Sequence, residues 1–228
     1  MDVAKMLGDA YDYTRRGLWG KWGKWILLAI GTIIFPFILG YMFWIFRGVK
    51  PAPELTDGVK LFIDGIKLFV LGLIYFMPVY IVSILFFGGA YAPFVSALAT
   101  GNIREFADAL LNALTGLAVG FILVQILQIV IFIVLIIAAV RYARTNNIAE
   151  AFNFTAIFEQ INRIGWGAYI VALIVLWIIA VVFSAVAAAL GLIPVLGWII
   201  VFFLYPAYLI FIARYVTLVY DSAGSDLT

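Results

Sequence analysis

The sequence predicts an all-α integral membrane protein that crosses the bilayer several times. Hydrophobic residues make up 67% of its 228 residues and charged residues only 11%, against roughly 45–50% and about 25% in a soluble domain. Several apolar runs are long enough to cross a membrane as helices, and the basic residues lie beside these runs. A globule of this size cannot bury so much apolar surface, so part of it must face lipid.

Four apolar runs are predicted to be full transmembrane helices: 68–87, 114–140, 168–190 and 193–213. None of them holds a charged residue. At about 1.5 Å of rise per residue each covers roughly 30 Å, the thickness of the hydrocarbon core. The last two runs are separated by Gly191 and Leu192 alone, so they should form an antiparallel hairpin.

A fifth run, 25–46, is interrupted by Gly31, Pro36 and Gly40. Proline inside a helix removes a hydrogen bond and clashes with the preceding turn, a break that membrane proteins tolerate where neighbouring helices satisfy the backbone. The run therefore predicts a re-entrant or kinked helical hairpin.

The distribution of Lys and Arg favours the re-entrant arrangement. If the run is re-entrant, Arg104 lies on one side of the membrane and the other 13 of the 14 basic residues lie on the opposite side. A full crossing would leave no bias, contrary to the positive-inside rule. We therefore expect both termini to be cytoplasmic and the location to be the plasma membrane.

The expected domain organisation is a single membrane domain over residues 1–228. It comprises an amphipathic interfacial segment (1–24), a membrane bundle (25–213) and a short cytoplasmic tail (214–228). Further amphipathic stretches, at 57–67 and 148–164, precede later membrane-crossing runs.

Tryptophan and lysine alternate just before the first apolar run, at Trp19, Lys21, Trp22, Lys24 and Trp25. Tryptophan favours the headgroup level of a bilayer and lysine favours anionic lipid. On one helix the three rings would share a flank, so the segment is predicted to be a membrane-interface anchor whose lysines reach lipid phosphates.

Polar groups inside the apolar runs are few. Gln125 and Gln128 lie three residues apart on one helix face, which fits a hydrogen bond to another helix or the wall of a narrow polar path. Small residues that let helix backbones approach closely recur at Gly116, Gly120, Ala180, Ser184 and Ala188. They indicate packing, either within the chain or between two copies.

Paired carboxylates, which can serve acid–base chemistry, occur at Glu54/Asp57/Asp64, Glu105/Asp108 and Glu150/Glu159. Each group lies in or beside an amphipathic segment with basic residues nearby, so we interpret them as solvated helix faces. The chain has no Cys and no His, which excludes thiolate and imidazole metal sites. No catalytic residue, metal or cofactor is predicted, and a net charge of +2 does not indicate nucleic-acid binding.

Two stretches of the chain resemble a known family. The first holds Pro53-Glu54-Leu55-Thr56-Asp57, then 61–67 (LFIDGIK) and Tyr75-Phe76-Met77-Pro78; the second holds 138–143 (AAVRYA) and 150–154 (EAFNF). These residues are similar to DUF4013, an uncharacterised prokaryotic and largely archaeal family. The resemblance implies a polytopic helical membrane protein and carries over no activity or site residues.

Three functions are compatible with these features. The favoured one is a non-enzymatic membrane protein: a scaffold, a partner-binding subunit or a lipid-organising element. Its expected partners are membrane lipids and another membrane protein or a second copy. The alternative is a transporter or channel for a small neutral or apolar substrate. A membrane enzyme is the third and would need carboxylates converging at the cytoplasmic face, such as Asp57, Asp64 and Glu150.

Overall fold

A computed structural model describes residues 2–227, and for Ala90 and 225–227 the backbone only. The elements in this part of the chain are helical. They are α1 (Val3–Leu18), α2 (Trp22–Ile33), α3 (Phe35–Phe46), α4 (Gly58–Thr100), α5 (Ile103–Thr145), a short 3₁₀ helix (Ile148–Ala151), α6 (Phe154–Ile164), α7 (Trp166–Gly191), α8 (Leu196–Asp221) and a terminal 3₁₀ helix (Ser222–Leu227).

The predicted fold class is confirmed, because α4, α5, α7 and α8 are long and apolar enough to cross a membrane. The helices α4, α5 and α7 each contain a predicted run and extend beyond it, whereas α8 begins at Leu196, three residues into the run 193–213, and extends beyond its end. The helices α4 and α5 have 43 residues each, which at about 1.5 Å per residue gives roughly 64 Å. The amphipathic stretch 57–67 is largely the first part of α4 rather than a separate helix.

The interrupted run 25–46 forms two short apolar helices, α2 and α3, of 12 residues each. Each is about 18 Å long, too short to cross the roughly 30 Å hydrocarbon core alone. The helices fold back on each other: the Lys24 Nζ lies 5.6 Å from the centre of the Tyr41 ring. Near the break, a Cβ on Gly31 would lie 3.4 Å from the Phe37 Cβ. Pro36 lies in the first turn of α3, where a missing N–H costs nothing.

The two ends of the chain are more firmly packed than the sequence predicted. In α1, Ala10, Tyr13 and Leu18 are buried. The segment from 214 onwards, expected to be a tail, continues α8 to Asp221 and buries residues 214–217. The apolar face of the helix continues past Arg214, so this arginine does not mark the end of the packed structure.

The described residues form two compact units, one up to Leu71 and from Ile136 onwards, the other Gly72–Leu135. Both α4 and α5 contribute residues to each unit. The single membrane domain expected from the sequence stays a prediction. In the first unit α8 packs against α1, α2, α3 and α7. In the second, Gly120 of α5 packs against Phe86 of α4, where an added Cβ would lie 2.7 Å from the phenylalanine Cβ.

The helices α3 and α4 meet backbone to backbone at a pair of glycines. A Cβ on Gly40 would lie 1.8 Å from the Leu61 carbonyl oxygen, and a Cβ on Gly65 would lie 1.7 Å from the Pro36 carbonyl oxygen. Neither backbone oxygen can move aside without shifting its helix. The closeness of α3 and α4 therefore depends on both glycines.

Replacing either glycine of this crossing should destabilise the protein. Gly40→Ala or Gly65→Ala should lower the free energy of unfolding in detergent by about 1–3 kcal/mol or more, because the added methyl overlaps backbone atoms. Gly72→Ala in α4 is the matched control, since nothing lies within 4 Å of its added Cβ. That control should be neutral or slightly stabilising through helix propensity. Equal thermal unfolding of all three variants would contradict the crossing.

Candidate functional site

Several charged side chains of the first unit form ion pairs, and three of these side chains are largely buried. Asp64 and Arg214 are 1% exposed and Lys24 is 9% exposed. The sequence interpretation treated the Asp57/Asp64 carboxylates as a solvated helix face, and for Asp64 it was wrong. Buried charges must be paired and hydrogen-bonded, so these three residues indicate where the fold is held by electrostatics.

Asp64 joins the end of α3 to the beginning of α4. Its Oδ1 accepts a hydrogen bond from the Lys67 Nζ at 2.8 Å, and its Oδ2 accepts one from the Trp44 indole Nε1 at 2.9 Å. The Arg47 Nη2 lies 3.0 Å from the same Oδ2. Lys67 is one helical turn from Asp64, whereas Trp44 and Arg47 reach it only because α3 lies against α4. Both carboxylate oxygens are therefore occupied by protein donors.

A cleft of about 630 Å³ opens beside Asp64. Six charged residues line it, and four of them are basic, so we call it the cationic cleft. The basic residues are Arg47, Lys60, Lys67 and Arg144, and the acidic ones are Asp57 and Asp64. Asp57 and Asp64 thus do converge, as the enzyme hypothesis required. The third carboxylate of that hypothesis, Glu150, is instead engaged by Arg141.

The remaining predicted carboxylates serve local structure. Glu105 accepts hydrogen bonds from the Thr100 hydroxyl at 2.9 Å and from the Asn102 side chain at 3.1 Å, at the turn before α5. Glu159 pairs with Arg163 on the exposed face of α6. These contacts agree with the interpretation of both groups as solvated.

The second buried charge, Arg214, joins α8 to α1. Its Nε and Nη2 each lie 2.7 Å from the Asp9 Oδ1, and its guanidinium lies 4.8 Å from the centre of the Tyr13 ring. Burial raises the pKa of Tyr13 to about 12, so the phenol stays neutral and donates a hydrogen bond to the Val49 carbonyl at 3.0 Å. The middle of α1 is therefore fixed to the rest of the first unit.

The predicted tryptophan–lysine anchor is rearranged by a helix break. No single helix runs through it: α1 ends at Leu18, Gly20 has a φ of +79° and α2 begins at Trp22. The three rings nevertheless lie together, with centroids 6.0 Å apart for Trp19–Trp22 and 5.5 Å apart for Trp22–Trp25. The glycine, which adopts positive φ without strain, allows the chain to turn here.

The two lysines of this anchor are bound to the protein. Lys21 and Lys24 both pair with Glu54, the second at 3.5 Å, and the Lys24 ammonium is buried. The hydrogen bond from Lys21 holds the pKa of Glu54 below its ordinary value. The expectation that both lysines reach lipid phosphates is therefore wrong for Lys24, since α3 and the segment after it enclose its side chain.

Trp25 is fixed to α8 and borders an apolar groove. Its Nε1 donates a hydrogen bond to the Phe203 carbonyl at 2.7 Å, in the turn of α8 that precedes Pro206. The apolar groove lies between α1 and the α7–α8 hairpin and has a volume of about 570 Å³. Residues that border it include Arg15, Trp19, Trp25, Val182, Ala207 and Phe211. Ordinary ligand pockets of about 300–1,000 Å³ are likewise mostly apolar with few polar groups.

The intramembrane glutamines do not bind another helix within the described chain. Gln125 is exposed and Gln128 half-buried, and neither makes a hydrogen bond to a described residue. Neither borders the cationic cleft or the apolar groove. The predicted interhelical bond is therefore not formed between described residues of this chain, because the glutamine face of α5 lies at the surface of its unit.

The small residues differ in environment. Gly120 is buried against α4, while an added Cβ on Gly116 would have nothing within 4 Å. Ala180 is half-buried, and Ser184 and Ala188 are exposed on α7. Gly120 thus packs closely within its unit, and a packing role for the other small residues stays a prediction.

Sequence reasoning missed Trp44, Arg47, Arg144 and Arg214. The spacing of Asp64 and Lys67 was visible as an i,i+3 pair. Trp44 lies 20 residues from its partner Asp64, and Arg214 lies 205 residues from Asp9. The sequence offers one signal for such contacts: an arginine that directly follows an apolar run, as Arg47 and Arg214 do, needs a charged or polar partner.

A comparison with protein families identifies a family for this chain. The family model described as "Protein of unknown function (DUF4013)" matches residues 25–192, well over half of the chain. No curated protein and no solved structure matches this chain.

The pairing of the buried Lys24 with Glu54 should contribute to the stability of the protein. Glu54→Gln should lower the free energy of unfolding by about 1–3 kcal/mol, because it leaves the buried ammonium without its charge partner. The double variant Glu54→Gln/Lys24→Met should recover part of this loss, since a methionine needs no partner. Glu159→Gln, which removes an exposed pair, should cost at most about 1 kcal/mol.

The ionisation of Glu54 sets a pH dependence. The hydrogen bond from Lys21 lowers the pKa of Glu54, so the stabilisation by this carboxylate is fully present above the ordinary carboxyl value of 4.5 and is lost as the pH falls through the lowered value. Thermal unfolding measured between neutral and acidic pH should therefore converge for the wild type and Glu54→Gln at the acidic end. A constant difference at every pH would contradict the assignment.

Proposed function

This chain belongs to the DUF4013 family of proteins of unknown function, and we propose that it is a non-enzymatic, lipid-organising membrane protein. In this proposal the apolar groove holds an acyl chain of an anionic phospholipid. The groove is the observation that carries the proposal, because it combines an apolar lining with a cationic group at its edge. The chain has four helices long and apolar enough to cross a membrane, so lipid surrounds it as a multi-pass membrane protein.

The lining of the groove supports an acyl chain as the occupant. The α7 and α8 side chains that border it include Ile178, Val182 and Phe211, and α1 contributes Leu18. Trp19 and Trp25 border the same groove, and indole rings favour the boundary between lipid headgroups and acyl chains. A lipid held here would have its chain against α7 and α8 and its headgroup towards α1.

Arg15 supports a preference for anionic headgroups. Its side chain is 57% exposed, and its nearest carboxylate oxygen, on Asp12, lies 3.8 Å away, beyond hydrogen-bond distance. The guanidinium can therefore bind a phosphate with two parallel hydrogen bonds, a geometry that arginine is suited to form.

The engagement of the carboxylates supports a non-enzymatic role. Asp64 accepts hydrogen bonds on both oxygens, and Glu150 is engaged by Arg141. A general base must reach the proton that it abstracts, and these carboxylates already hold arginine, lysine or indole donors. The proposal therefore assigns them to structure.

We further propose that both termini face the cytoplasm and that the protein resides in the plasma membrane. Two observations support this orientation: the uneven division of basic residues, and the folding back of α2 and α3, which lets the chain leave the membrane on the side where it entered.

The orientation has a direct test, because the natural chain has no cysteine. Single variants Ala4→Cys, Ala149→Cys and Ile103→Cys each place a thiol at an exposed position. In intact cells an impermeant thiol reagent should label Ile103→Cys and spare the other two until the membrane is permeabilised. Labelling of Ala4→Cys and Ala149→Cys from opposite sides would show that 25–46 crosses the membrane.

Lipid retention tests the groove. Native mass spectrometry of the full chain, purified in neutral detergent with equimolar phosphatidylglycerol and phosphatidylcholine, should show preferential retention of phosphatidylglycerol. Arg15→Gln should reduce that preference about fivefold, the equivalent of roughly 1 kcal/mol for one basic residue. Ala207→Trp should reduce retention of both lipids, because the larger side chain fills the groove.

Lys5→Gln is the matched control for Arg15→Gln. It removes the same charge from an exposed position of α1 that does not border the groove, so lipid preference should not change. If Arg15→Gln and Lys5→Gln had equal effects, the preference for phosphatidylglycerol would come from general surface charge, and the proposed site would be overturned.

A further inference from the structure

We propose that the cationic cleft is a binding site for a phosphate-bearing anion, separate from the apolar groove. Four basic side chains and two carboxylates line a volume of about 630 Å³. The basic side chains outnumber the carboxylates, so the lining of the cleft carries a net positive charge. No residue named as bordering the apolar groove also lines the cleft.

The two carboxylates serve the protein rather than a ligand. Both oxygens of Asp64 accept hydrogen bonds, from Lys67 and Trp44. The Asp57 Oδ1 accepts a hydrogen bond from the Lys60 backbone N–H at 2.9 Å and so caps the beginning of α4. Because one buried carboxylate faces both Arg47 and Lys67, these two side chains retain a net positive charge.

Asp64 also orients its two cations. Its contact with Arg47 uses Nη2, while an arginine side chain carries five N–H donors on three nitrogens. The Lys67 ammonium donates to Asp64 and lies 3.3 Å from the Asn146 Oδ1, which leaves one of its three donors. A buried carboxylate thus fixes the direction of cations whose other donors face the cleft.

Arg144, on α5, is also held in place by contacts within the protein. Its Nε donates to the Phe46 carbonyl at 2.8 Å, and its Nη2 lies 2.7 and 2.9 Å from the two oxygens of Asp221. The guanidinium packs on Gly48, where an added Cβ would lie 2.7 Å from three of its atoms. These contacts leave Nη1 for a ligand and fix the plane of the group.

Lys60 is an exposed donor of the cleft. Its ammonium makes no ion pair in the described part of the chain. Two planar guanidinium groups and two ammonium groups around one cavity fit a phosphate, whose several oxygens accept from donors in different directions. The phosphate can come from a lipid headgroup or from a small soluble compound.

Binding to the full chain in neutral detergent tests the proposal. Isothermal titration at constant ionic strength would use inorganic phosphate, dihexanoyl phosphatidic acid and dihexanoyl phosphatidylcholine. The last compound has the same chains without net charge. Each titration is repeated on Ala207→Trp, whose filled groove takes up neither lipid, so binding that persists in this variant reports the cleft. We expect saturable binding of phosphatidic acid in excess of phosphatidylcholine; binding of inorganic phosphate as well would identify a soluble source, and its absence a lipid headgroup.

Lys60→Gln is the test variant, because it leaves the ion pairs of Asp64 and Arg144 intact. It should weaken phosphate-dependent binding about fivefold, as expected for one basic residue at an anionic group, and Lys60→Glu should abolish it. Lys5→Gln is the control of equal charge, and Arg15→Gln should leave the cleft unaffected. The proposal is overturned if no anion binds beyond the phosphatidylcholine level, or if Lys60→Gln and Lys5→Gln have equal effects.

Discussion

The first unit depends on one buried carboxylate. Asp64 is 1% exposed and would be costly to bury alone, so the fold must bring donors to both of its oxygens. Lys67 is local, but Trp44 and Arg47 come from α3 and arrive only where α3 and α4 touch at Gly40 and Gly65. The close glycine contact and the carboxylate therefore require each other: the first permits the approach, and the second is satisfied only because of it.

Two other buried charges extend the same principle. Arg214 pairs with Asp9 and so joins the last long helix to the first, while Lys24 pairs with Glu54 and joins the α2–α3 hairpin to the segment before α4. In a membrane protein, lipid tails are as apolar as the side chains, so the hydrophobic effect does little to bring helices together there. Ion pairs and close backbone contacts can supply the specificity that apolar burial does not.

The two proposed ligand surfaces follow from this arrangement in different ways. Fixing α1 to α8 leaves the apolar groove between α1 and the α7–α8 hairpin. Fixing α3 to α4 through Asp64 leaves the cationic cleft, whose lining is net positive because four basic side chains outnumber two carboxylates. The groove presents an apolar surface to an acyl chain, and the cleft presents hydrogen-bond donors to a phosphate. Most of these donors belong to side chains that the protein already holds in place. Both belong to the first unit, where the described charged side chains are concentrated.

The sequence by itself determined the class of protein, the four long apolar helices and the interruption of 25–46. These are local properties: run length, absence of charge, and glycine or proline within a helix act on neighbouring residues. Its family resemblance also rested on short local stretches. The boundaries were less secure, because α4, α5 and α8 continue as helices through charged residues that resemble the end of a membrane-crossing run.

The tertiary structure alone decided which charges are buried. Asp57 and Asp64 look equivalent in the sequence, yet one caps a helix and the other is enclosed, because only Asp64 faces the end of α3. The sequence predicts that Lys24 binds lipid phosphates, whereas in the structure the folding of α2 onto α3 places it beside Glu54. A charge is solvated or buried according to partners that lie as far as 205 residues away, and a local pattern carries no information about that distance.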